Sequence, residues 1–129
     1  MKIVFIICRI LLGLVFFVFG LNKFLNFIPA QMPPGVAGQF SVILFSTHYI
    51  WLIGAVEVIG GALLLAGRYV PLGLLFLAPM IVNILGFDAL MMPKALPMGV
   101  VVLLLWLVTA WSVRSAFWPV VQARVTAEK

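Results

Sequence analysis

Charge is scarce in this chain. Of its 129 residues only eight are lysine or arginine and three are aspartate or glutamate, so the polar surface that a soluble domain needs cannot be built. Cysteine is nearly absent. Cys8 stands alone inside an apolar run, which excludes an intrachain disulfide and a CxxC redox motif and leaves a small packing residue. The single histidine, His48, cannot supply bis-histidine haem ligation, and no thiolate or carboxylate cluster has metal-ligand spacing. No metal site is therefore read. A Ser-His-Asp set and a phosphate loop are also missing, and no catalytic residue can be assigned. Any redox work would have to pass through a diffusible carrier such as quinone, or through a partner subunit.

What the chain has instead is hydrocarbon. Two thirds of the residues are apolar and the mean hydropathy is +1.32, which marks an integral membrane protein lying in the lipid bilayer. The length allows about four spans of about twenty residues, with no room for a separate soluble domain. One domain, residues 1–129, is expected. The net charge of +5 does not suggest nucleic acid, because the basic residues are scattered singly between apolar runs and read as topology signals.

The first span is expected from Ile3 to Leu21, ending at Asn22 and Lys23. Lys2 before a hydrophobic run is also how a secretion signal begins. Here Arg9 interrupts the run and no small-x-small cleavage pattern follows, so a retained span is expected. The second span runs from Tyr49 to Ala66 and is closed by Gly67 and Arg68. The third starts at Val70 and Pro71 and continues to about Phe87 or Leu90, and the fourth runs from near Pro97 to Trp111 or beyond. Between the first two lies a long connection in which Pro29, Pro33, Pro34 and Gly35 prevent a continuous helix. Its second half, with Val36, Phe40, Ile43 and Leu44 at helical spacing, predicts a short helix in the membrane interface that could cap one end of the bundle. The fold class is all-α: a membrane-embedded four-helix bundle with a short interfacial helix in the first extracytoplasmic connection.

Four spans place both termini on one side. That side holds Lys2, Arg68, Arg114, Arg124 and Lys129 against Lys23 and Lys94 opposite, so the termini are expected in the cytoplasm of a cell whose inner membrane carries the protein.

The most informative residue is Glu57, a carboxylate near the middle of an apolar span. An unpaired charge there is unfavourable by roughly 3 kcal/mol on insertion scales, so it needs a partner, a wet cavity or a function. Heights counted from the helix ends predict an ion pair between Arg9 and Glu57. The pair would either register the first two spans or shape an internal polar site; both roles remain open. Arg9, Gly13, Phe16, Gly20 and Lys23 share one face of the first span, and Gly54, Glu57, Gly60 and Gly61 share one face of the second. Small residues let membrane helices approach closely, and the second-span glycines are also a face through which a homo-oligomer could form. A second polar group, Asn22, Lys23, His48 and Asp88, gathers toward the outer end, with Lys23 and Asp88 within reach of pairing and snorkelling to water as the plainer role. Asn83 belongs with the internal site: it follows Pro79 by one turn, and an interhelical hydrogen bond is its expected role. Phe16, Phe17, Phe87, Met91, Met92 and Trp106 could wall a quinone ring, or serve as ordinary packing side chains.

The stretch RILLGLVFFVFGLNKF (Arg9 to Phe24), a proline-rich connection, and GAVEVIGGALLLAGRYVPLGLLFLAPMIVNIL (Gly54 to Leu85) together resemble the DoxX and DoxD family of small four-span membrane proteins. The most specific elements are the first-span arginine, the Gly20 to Lys23 ending and the Glu-x-x-Gly-Gly stretch that leads to Gly67 and Arg68. The resemblance implies that Arg9, Lys23 and Glu57 are family-marking polar residues. It also implies a link to thiosulfate:quinone oxidation or to oxidative and sulfur stress. The resulting expectation is a quinone-proximal or structural subunit of a membrane oxidoreductase assembly, with partner subunits in the same membrane. Two alternatives stay open: a small proton-coupled carrier with an intramembrane glutamate, and a structural assembly partner without a ligand.

Overall fold

A computed structural model describes residues 1–27 and 33–127. The helices are α1 (Lys2–Leu25), α2 (Gly35–Ser46), α3 (Tyr49–Ala66), α4 (Val70–Met91) and α5 (Leu96–Ser112), with single 3-10 turns at Pro93–Ala95, Arg114–Ala116 and Trp118–Val121. Pro29 of the expected break and the terminal Lys129 lie outside the described residues.

In hydrocarbon every backbone amide needs a partner within its own segment, so the four apolar runs fold as helices, each long and apolar enough to cross a membrane. Their ends follow local chemistry. Gly67 takes a left-handed conformation (φ 70°) and donates its N–H to the carbonyls of Leu63 and Leu64, which terminates α3. Pro71 falls in the first turn of α4, where its missing N–H is harmless. The first span differs from expectation in length. Helix α1 continues past Leu21 through Asn22 and Lys23 and stops at Asn26 (φ 53°), a residue type that tolerates that conformation. At about 36 Å it is longer than α3, at about 27 Å.

The four long helices close a ring in which α1 packs on α3, α3 on α4, α4 on α5, and α5 returns to α1. Leu12, Phe16, Leu64, Leu74, Leu77 and Ile81 fill its centre. The outward residues are mainly large and apolar, as a lipid-facing surface requires. Helix α2 packs on α3 and α4 at one end, and its Phe40 ring lies 5.7 Å from that of Phe87. The apolar residues expected to share one α2 face part ways: Leu44 and the still partly exposed Phe40 line the cleft against the bundle, while Val36 and Ile43 are more fully exposed.

Glycines set the closest contact. A Cβ on Gly61 would lie 2.6 Å from the Phe17 backbone nitrogen and 2.7 Å from the Gly13 carbonyl oxygen, and one on Gly54 would lie 3.0 Å from the Gly20 carbonyl oxygen. The backbones of α1 and α3 therefore touch without intervening side chains. On the other side of α3, a Cβ on Gly73 would sit 3.1 Å from the Gly60 carbonyl oxygen. The glycines of α3 are buried inside the bundle, so they are not the surface through which a second copy could dock. Between α4 and α5, Trp106 Nε1 donates to the Leu74 carbonyl at 3.0 Å.

Candidate functional site

Glu57 does pair, but with Lys23. Lys23 Nζ lies 2.6 Å from Glu57 Oε1, and the carboxylate side chain is 5 % exposed. The expected Arg9–Glu57 bridge does not form, and neither does a Lys23–Asp88 bridge. The reason is register and side-chain direction. With Gly13 level with Gly61 and Gly20 level with Gly54, Glu57 stands level with Phe17, about 12 Å along the axis from Arg9 and about 9 Å from Lys23. Helical side chains lean toward their own N-terminus. In this antiparallel pair Lys23 and Glu57 lean toward each other, whereas Arg9 and Glu57 lean apart.

Arg9 reaches the α3–α4 turn instead, where its guanidinium Nη1 packs against Gly67. Its Nε is buried without a hydrogen-bond partner. Arg9 therefore belongs to the opposite end of the bundle from the polar site.

The ion pair borders a cleft of about 890 Å³ between α2, α3 and α4 that opens to the surface. Ser41 and Phe40 come from α2, Tyr49 and Ile53 from α3, and Met80, Asn83, Phe87, Asp88 and Met91 from α4. The lining is thus chiefly apolar, with a few convergent polar groups, the usual composition of a small-molecule site. Asp88 is 6 % exposed and has no ion-pair or hydrogen-bond partner for its side chain among the described residues. Its Oδ2 lies against Gly99 of α5, where an added Cβ would approach to 2.7 Å.

The remaining expected residues scatter. Asn83 lines the cleft but donates Nδ2 to the Pro79 carbonyl of its own helix at 2.8 Å, so the expected interhelical bond is replaced by a local one. The helix runs continuously through that proline. His48 joins α2 to α3 in a left-handed conformation and stacks on Trp51, with ring centroids 4.7 Å apart. Asn22 lies in the last two turns of α1, and its carbonyl accepts the capping N–H of Asn26. Of the aromatic and methionine wall, Phe87 and Met91 face the cleft. Phe16 is buried in the core, and Trp106 is bonded to Leu74. Sequence reasoning missed Ser41, Tyr49, Ile53 and Met80 as cleft residues. No spacing marks them; they meet only because α2 folds back over α3 and α4.

Four apolar helices in a closed ring, a glycine-meshed first pair and a buried ion pair beside a lateral cleft define a small multi-pass membrane protein. The DoxX family model matches residues 4–89, two thirds of the chain. The protein belongs to the DoxX family. No curated protein and no solved structure matches it.

Proposed function

We propose that the protein is a quinone-proximal subunit of a membrane oxidoreductase assembly, and that the cleft beside Lys23 and Glu57 is its quinone site. The observation that carries this reading is the cleft itself: a volume in the range of small-molecule sites, a flat aromatic wall at Phe87, and an ion pair at its edge. A bound quinone would supply two-electron, two-proton redox chemistry. The chain would supply position. Phe40 and Phe87, whose rings already lie 5.7 Å apart, would flank the ring together from one side, and the opening would leave room for an isoprenoid tail. Lys23, with two N–H groups beyond the one directed at Glu57, offers donors to a carbonyl oxygen. Glu57 fixes that ammonium in place and neutralises it, so the site stays usable inside hydrocarbon. The distribution of basic residues supports an inner-membrane location with both termini cytoplasmic.

Quinone reduction in membranes from cells carrying Glu57→Gln tests the reading. A several-fold fall with protein level unchanged supports it, and unchanged reduction counts against it. One observation favours the carrier alternative: Asp88 is an unpaired carboxyl group in the same cleft. Uptake driven by an imposed pH gradient in vesicles, lost on Asp88→Asn, would select that alternative.

A further inference from the structure

The hydrogen-bonding groups around the cleft are unevenly balanced. Three of its donor groups have partners within the protein: Ser41 Oγ donates to the Ala37 carbonyl at 2.9 Å, Asn83 Nδ2 to the Pro79 carbonyl at 2.8 Å, and Lys23 Nζ directs one N–H to Glu57 at 2.6 Å, while Tyr49, which also lines the cleft, is exposed. The acceptors are not so engaged. Asp88, nine-tenths buried, has no partner among the described residues and lines the cleft, and an ionised carboxylate offers about four lone-pair sites and no donor. Asn83 keeps its carbonyl oxygen, and Ser41 keeps its lone pairs. A buried acceptor without a donor is unfavourable, and of these three groups Asp88 is the buried one, so a ligand that brings an O–H to it gains more here than one that brings only carbonyls.

We infer that the cleft selects an aromatic hydroxyl donor, a hydroquinone or phenol, whose O–H is bound by the carboxylate of Asp88 while its ring lies against Phe87. The inference rests on the quinone reading and sharpens it: the preferred occupant is the reduced, donor-bearing ring. An organic cation is the other partner that a lone carboxylate could take. The cleft disfavours it, because the Lys23 ammonium borders the same space and repels a second cation.

Calorimetric titration of the purified full chain in nanodiscs, without oxygen, tests this with four probes of similar size. They are tetramethylhydroquinone, tetramethylbenzoquinone, the dimethyl ether of the hydroquinone and phenyltrimethylammonium. The hydroquinone is expected to bind at least tenfold tighter than the other three. In Asp88→Asn that preference over the quinone should shrink to threefold or less, with quinone binding retained. Benzoquinone or the dimethyl ether binding as well as the hydroquinone would overturn the donor selection and leave the quinone reading standing. A preference kept in Asp88→Asn would remove Asp88 from the role, and tighter binding of the ammonium would replace the inference with a cation site. Failure of both rings to bind would overturn the inference and the quinone reading together. The four-probe comparison on the unmodified chain decides the selection even where the variant does not fold.

Discussion

Arg9 and Gly67 occupy one space: the guanidinium Nη1 lies where any Cβ at position 67 would have to go. Gly67 also holds φ at 70°, which an L-residue adopts at a cost of about 1–2 kcal/mol. Gly67→Ala should therefore lower thermal stability in detergent through two separable causes. Adding Arg9→Ala to it should recover the steric part and leave the backbone part. If the double variant is no more stable than the sum of the two single effects allows, Arg9 does not sit at that turn.

The glycine seam makes a sharp contrast between two substitutions in membrane helices. Gly61→Ala would push a methyl group into the α1 backbone, and overpacking of this kind costs about 1–3 kcal/mol. Gly86 has nothing within 4 Å of its missing Cβ, so Gly86→Ala should be neutral or stabilising by up to about 1 kcal/mol. Unfolding midpoints of the two variants, measured side by side, check the ordering. Equal effects would mean that α1 and α3 do not touch at their backbones.

Breaking the ion pair from either side should not be symmetrical. Lys23→Ala strands a carboxylate that is 5 % exposed, and an uncompensated buried charge costs about 3–5 kcal/mol. Glu57→Gln leaves a lysine whose side chain is 21 % exposed and near the helix end, so it can turn toward the interface at a smaller loss. Thermal unfolding should rank Lys23→Ala well below Glu57→Gln, and the reverse order would contradict the burial of Glu57.

Trp106 links α5 to α4 through one hydrogen bond, from Nε1 to the Leu74 carbonyl. Trp106→Phe keeps an aromatic ring and removes the donor, so a loss of about 1 kcal/mol is expected from the bond. An unchanged midpoint would mean that ring packing alone holds α5 in place.

The spans were legible because a membrane imposes length and composition: each run between Lys2 and Ser112 that is apolar for eighteen residues or more became a helix. The faces were legible too, since Gly13, Phe16 and Gly20 on α1 and Gly54, Glu57 and Gly61 on α3 are all buried. The pairing of Glu57 was not read correctly. Counting heights from helix ends assumes that Lys2 and Gly67 are level, but α1 overshoots α3, and Arg9 is the residue that meets Gly67. A better ruler was present. Gly13 and Gly20 are spaced as Gly54 and Gly61 are, and meshing the two intervals antiparallel fixes the register without reference to the ends. Side-chain lean then selects Lys23 over Arg9. The cleft itself had no such signal. Ser41, Tyr49 and Met80 carry no pattern, and only the return of α2 across α3 and α4 brings them beside Asp88.

A pair of double-mutant cycles on unfolding free energy tests the central claim most directly, one combining Lys23→Ala with Glu57→Gln and the other combining Arg9→Ala with Glu57→Gln. The structure predicts a coupling of at least about 1 kcal/mol in the first cycle and additivity within about 0.5 kcal/mol in the second. Coupling of Glu57 to Arg9 with none to Lys23 would contradict it.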